Sequence, residues 1–70
     1  MKVTISSREL EILRKSADGL TIQQIANEMN VSQQLISRTQ RDILNRTGAG
    51  DPLIALQVLA KNGFVLQPEK

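Results

Sequence analysis

The sequence predicts an all-α fold of four short helices, the middle two forming a helix-turn-helix. Three observations carry that expectation. Four stretches open on a side chain suited to capping a helix start: Ser6, Thr21, Ser32 and Asp51. Each is followed by apolar residues at helical spacing rather than strict alternation. Each then meets a residue that tolerates positive φ: Gly19, Asn30, Gly48 or Gly63. The expected helices run over about 7–18, 22–29, 33–47 and 52–62, with the helix-turn-helix over about 22–41. At 70 residues the chain has room for a single domain, spanning 1–70. A chain this short buries only about 60% of its unfolded surface.

Met1–Ile5 reads as an extended lead-in, partly disordered at its tip. Val3 and Ile5 alternate with Lys2 and Thr4, but five residues make no stable sheet alone. Ser6-Ser7-Arg8-Glu9 is a capping box, in which the serine accepts from the first turn and Glu9 reaches back to the cap N–H. Ile5 and Leu10 flank it at the spacing of a hydrophobic staple. Along the first helix Leu10, Leu13 and Ala17 share a face, with Ile12 on its flank and Arg8, Glu11, Lys15 and Asp18 on the wet side.

Thr21-Ile22-Gln23-Gln24 is a second capping box. The helix after it is short, and Ile22, Ile25, Ala26 and Met29 fall within roughly a 100° arc. The small Ala26 lets a neighbouring helix cross closely. Asn30-Val31-Ser32 is the turn, with Val31 as an apolar plug and Ser32 as the next cap. An ordinary helical hairpin is the commoner use of two joined helices. Paired caps around a short amphipathic helix, then a longer polar-faced one, favour the helix-turn-helix unit.

The third helix, SQQLISRTQRDILNRT from Ser32 to Thr47, is where function is expected. Ile36 and Ile43 lie seven residues apart on one face, which Thr39 and Thr47 continue. Gln34, Ser37, Arg38, Arg41 and Asn45 gather on the other. A major groove admits one α-helix, and Arg, Gln, Asn and Ser are side chains that read base edges there.

Gly48-Ala49-Gly50 ends that helix, and Asp51-Pro52 starts a fourth with proline at its first position, where the missing N–H is no loss. Leu53, Ile54, Ala55, Leu56, Val58, Leu59 and Ala60 leave little of it polar, more than one core covers on a peripheral helix. Two readings stay open. A dimer seam would use Leu53, Leu56, Gln57 and Ala60. Alternatively Val3, Ile5, Phe64 and Leu66 fold back over the second side. Pro68-Glu69-Lys70 is a polar end, and there are no repeats, low-complexity tracts or linkers.

Composition closes off other classes. With no Cys and no His, there is no disulfide, thiolate site or common metal ligand. No catalytic residue, metal site or cofactor is expected, and the chain does not read as an enzyme. Glu9 and Glu11 lie too far apart round a helix to act as a pair, and no phosphate loop appears. Nine basic residues against seven acidic give a formal charge of +2, which permits nucleic acid without demanding it. With one aromatic residue, Phe64, stacking on single strands is not expected. No apolar run reaches the ~18 residues of a membrane span, and no signal peptide opens the chain. The expectation is a cytoplasmic protein with no membrane partner.

Together these features resemble the LuxR/FixJ-type (GerE-like) helix-turn-helix family, the output domains of many bacterial response regulators and quorum-sensing activators. The resemblance covers Ile5 to Phe64. It is carried by Ser6-x-Arg8-Glu9-x-Glu11-Ile12-Leu13, then Ala17-x-Gly19-Leu20-Thr21, then Ile25-Ala26-x-x-Met29-x-Val31-Ser32, and by Ile36, Ile43, Arg46 and Gly48. Region 4 of bacterial sigma factors shares much of the first half. The glycine after the third helix and the apolar fourth helix favour LuxR/FixJ. The resemblance implies a four-helix LuxR-type bundle and a dimer on partly palindromic sites, joined through the fourth helices. It places base reading at Ser37, Arg38 and Arg41, and phosphate contacts at Thr21, Ser32, Gln33, Gln34 and Arg46. There are departures. The family usually has a lysine where this chain has Ser37, a histidine at Thr39, a leucine at Thr47 and a basic or polar residue at Pro52. Losing the lysine weakens a contact there, and Thr47 lightens a core that Leu44 partly refills. No receiver or ligand-binding domain precedes the helices, which suits an excised output domain or a free-standing regulator.

The expected function is a bacterial transcription regulator that binds double-stranded DNA sequence-specifically through residues 33–47, as a homodimer through residues 52–62. Asn45 joins the reading face. The alternative is a protein-interaction module whose apolar fourth helix docks on RNA polymerase or another regulator.

Overall fold

The computed structural model describes residues 2–67. Met1, the tip of the lead-in, and the polar end at 68–70 lie outside the described residues. The elements run β1 (Val3–Ser6), α1 (Ser7–Ala17), α2 (Ile22–Met29), α3 (Gln33–Thr47), α4 (Pro52–Asn62) and β2 (Phe64–Gln67).

Each helix starts on a side-chain oxygen. Ser6 accepts from the Glu9 N–H at 3.1 Å while Glu9 accepts from the Ser6 N–H at 3.0 Å. Thr21 and Gln24 repeat that exchange. Ser32 accepts from Leu35 at 3.1 Å, and Asp51 from Ile54 at 3.0 Å with Pro52 behind it. α1 ends in a Schellman motif, where Gly19 N–H donates to Ser16 and Leu20 N–H to Lys15. Asn30 takes the left-handed turn after α2 at φ 58°.

Two apolar clusters make the core. One joins Ile5, Leu13, Ile43, Ala55 and Leu59, with Val3, Leu10, Leu44, Leu56 and Phe64 packed on it. The other joins Ile12, Ile25, Ala26 and Ile36, with Leu20, Ile22, Met29 and Val31 around it. Two helices run through both. Ile12 and Leu13 are neighbours about 100° apart on α1, so each points into a different cluster. Ile12 is fully buried, not a flank residue. On α3, Ile36 serves the second cluster and Ile43 the first. That double attachment fixes α3 along its length.

The lead-in corrects the sequence reading. It is not a free arm but β1, paired in parallel with β2 in the register Val3↔Phe64 and Ile5↔Leu66. Gly63 makes this possible: at φ 79° it ends α4 and redirects the chain in a conformation that L side chains rarely adopt. Val3, Ile5 and Phe64 then cover one side of the cluster that holds Ala55 and Leu59. The fold-back reading of α4 is therefore realised in part. Leu66 stays 52% exposed, and Leu53 and Ile54 face solvent.

Candidate nucleic-acid interface

The inner side of α3 is locked: Ile36 is 0% and Ile43 1% exposed. Rotation by about 100° per residue then puts Gln34, Ser37, Arg38, Arg41 and Asn45 within roughly a 100° arc on the opposite side. Gln34, Arg38, Arg41 and Asn45 are exposed and Ser37 is half-buried. From Gln34 to Asn45 the stripe extends for about 17 Å at the helical rise. It is straight, polar and free of acids.

The acids nearby are neutralised elsewhere. Asp42, the acid within α3, lies 2.6 Å from Arg46. Glu28 on α2 accepts from Lys15 at 2.7 Å, and that hydrogen bond to Glu28 raises the Lys15 pKa against a smaller effect of burial. Among the described residues, Arg38 and Arg41 have no ion pair. The outward stripe therefore keeps two cationic forks whose donors are free for a polyanion.

Two helix starts add polar groups beside it. Ser32, Gln33 and Gln34 are exposed at the start of α3, and Thr21 is exposed at the start of α2. First-turn N–H groups carry partial positive charge and favour phosphate.

Arg46, to which the resemblance assigns a phosphate contact, is engaged within the fold. Its guanidinium donates to both carboxylate oxygens of Glu9, to Asp42 and, at 2.7 Å, to the Thr4 carbonyl. It ties the end of α3 to the cap of α1 and to β1. Hydrogen bonding to Glu9 raises its pKa against partial burial, with Asp42 adding to the rise. Arg46 is exposed, as Arg38 and Arg41 are, but its donors are engaged within the fold, where it braces α3.

A second tie escaped the sequence reading. Gln40 donates to the Ser16 hydroxyl at 2.5 Å, and Ser16 donates to the Ile12 carbonyl at 2.8 Å. The signal was present: Gln40 falls between Ile36 and Ile43 on the inner face, where a polar side chain needs a partner. Thr47, also on that face, satisfies its hydroxyl on the Ile43 carbonyl at 2.9 Å. Leu44 packs on the first cluster beside it.

The expected dimer residues divide. Leu53, Gln57 and Ala60 are exposed on one side of α4, whereas Leu56 is half-buried against the core. Ile54, absent from that set, is exposed beside Leu53. Among the described residues there is no group of side chains suited to a metal, and no helix is long and apolar enough to cross a membrane.

No curated protein sequence matches the chain. A family model does, over residues 3–52, from β1 through the first residue of α4, with the description "Bacterial regulatory proteins, luxR family". That is well over half the chain, and it contains the whole helix-turn-helix and both ties that hold α3. The chain belongs to the luxR family of bacterial regulatory proteins and is a DNA-binding transcription regulator.

Proposed function

We propose that the chain recognises a preferred duplex sequence by laying α3 in the major groove. Arg38 and Arg41 read guanine edges or contact phosphate, and Ser37, Gln34 and Asn45 read neighbouring positions. Thr21, Ser32 and Gln33 hold the phosphate backbone through hydroxyl, amide and first-turn N–H groups. Arg46 acts from behind, as the brace that sets the tilt of α3. Two copies meet through the exposed side of α4, at Leu53, Gln57 and Ala60 with Leu56 beneath. The observation that carries the reading is the contrast across α3: Ile36 and Ile43 shut inside, Arg38 and Arg41 open and, among the described residues, without an ion pair.

The test is fluorescence anisotropy on a duplex selected from a random pool, titrated at several salt concentrations. Arg41→Ala is expected to cost about 1–3 kcal/mol and to relax preference at one base pair if the contact is bidentate to a base. If Arg41 meets phosphate alone, affinity falls evenly across sequences and the salt slope drops by about 1. Unchanged affinity for every duplex rejects both roles.

The exposure of Leu53 and Ile54 favours one further reading, a module that docks on RNA polymerase or another regulator through α4. Heparin retention and affinity for random duplex separate the two. An interaction module shows no salt-dependent binding to either.

A further inference from the structure

We propose that the outer edge of β2, with a stripe of α1 beside it, is a two-fold contact between copies of this chain. It shares no residue with α4. The two edges of the small sheet are finished differently. On β1 the Thr4 carbonyl accepts from Arg46 and the Ser6 N–H donates to Glu9. Those bonds turn the Thr4 and Ser6 main chain away from β2, so Val3 and Ile5 face it. The register then sets the Phe64 and Leu66 main-chain groups on the far side of β2. Arg8 apart, no side chain among the described residues bonds to that edge. Free edges are ordinarily blunted by a charge, a proline or a bulge. The strand Phe64-Val65-Leu66-Gln67 contains none of these, and Val65 and Leu66 are 51% and 52% exposed.

The adjoining surface indicates what covers this edge. Ser7, Leu10, Glu11 and Arg14 fall at i, i+3, i+4 and i+7 along α1, and with Leu66 they line a cleft of about 180 Å³. Leu10 and Leu66 give it apolar walls. Glu11, which lies 3.9 Å from Lys15 and stays exposed, gives it an acid, and Arg14, with no ion pair among the described residues, gives it a base. A two-fold axis normal to the sheet pairs β2 with its copy in antiparallel fashion. The same axis sets the two α1 helices side by side in opposite directions. Arg14 of each copy then meets Glu11 of the other, the reciprocity an isologous contact requires. The stripe is complementary in charge to itself, so a second copy is the occupant it fits.

The absence of cysteine makes the test clean. Side chains facing across antiparallel strands have Cβ atoms about 4.5–5.5 Å apart, close to disulfide reach. Val65→Cys in the full chain is expected to form a disulfide dimer under mild oxidation at least about tenfold faster than Asn27→Cys, an exposed control on α2. In sedimentation, Arg14→Glu and Glu11→Arg should each weaken self-association about tenfold, and the double exchange E11R/R14E should restore it to within about threefold. Circular dichroism checks that each variant keeps its helices. Three results overturn the proposal: a double exchange no better than the single ones, equal cross-linking of Val65→Cys and Asn27→Cys, or a chain that stays monomeric. Efficient cross-linking through Gln57→Cys alone also overturns it, and leaves α4 as the meeting face. None of these residues lies on α3, so the duplex titration of Arg41→Ala succeeds or fails separately.

Discussion

Glu9 serves two structures with one carboxylate. It accepts the Ser6 N–H that closes the capping box, and it receives the Arg46 guanidinium that anchors α3. Partial burial raises its pKa, but hydrogen bonds from Arg46 and Ser6 and the charge of Arg46 outweigh that, so the net shift is below the ordinary 4.5. A carboxylate with a depressed folded-state pKa favours folding above its unfolded pKa. That contribution is lost as the pH falls through the folded value. Glu9→Gln keeps an acceptor for Ser6 but removes the charge. It is expected to cost about 1 kcal/mol at pH 7, a modest figure because both partners stay partly solvated. It should also flatten the loss of stability with acid below about pH 4.5. Urea denaturation at pH 7 and pH 3 measures this, and parallel losses in variant and parent would refute it. The capping half of Glu9 was legible, because S-x-x-E is a local pattern. The Arg46 half was not, since the two residues lie 37 positions apart and nothing local tells a braced arginine from a free one. The resemblance accordingly assigned Arg46 to phosphate.

At the scale of elements, the caps carried most of the information. Ser6, Thr21, Ser32 and Asp51 all accept from the first turn of the helix they precede. Capping is a contact over three residues, and sequence records it well. Which face of α1 is buried was harder to read. Leu10, Leu13 and Ala17 make the better single stripe, and only a core in two clusters gives Ile12 a place. The strands were least legible, because parallel pairing joins the two ends of the chain and depends on Gly63 redirecting it after α4. The joint between α2 and α3 offers an element-scale test. Asn30 holds φ 58° there, and its N–H and that of Val31 both donate to the Ala26 carbonyl. A left-handed conformation costs a Cβ-bearing residue roughly 1–2 kcal/mol, less for asparagine, and little for glycine. Asn30→Ala is therefore expected to lose about 1 kcal/mol while Asn30→Gly stays near the parent. Thermal melts of the pair decide it. Equal stability of the alanine variant and the parent would mean that the turn does not select for asparagine.

At the scale of the molecule, the question is whether two clusters make one folding unit. The helix-turn-helix owns the second cluster, while the chain ends and α4 close the first. No apolar residue of α2 packs on the cluster that holds Leu59, yet α1 and α3 pass through both. Loss of packing at one end should therefore be felt along α3 at the other. Truncation after Asn62 removes Phe64 from the first cluster and uncovers Val3 and Ile5, which are otherwise half-buried and buried. Partial loss of two or three apolar side chains from a core amounts to roughly 2–4 kcal/mol. For a chain of this size that lowers the melting temperature by about 10 °C or more. The decisive feature is the shape of the transition. If α1 and α3 couple the clusters, the truncated chain unfolds in one step and loses duplex affinity along the same curve, although no residue of α3 was changed. Two resolved steps, or a melting temperature within about 2 °C of the parent, would show that the helix-turn-helix stands without its terminal strands. In that case Arg46 and Gln40, rather than the packing around Ile43, would be what holds the reading helix in place.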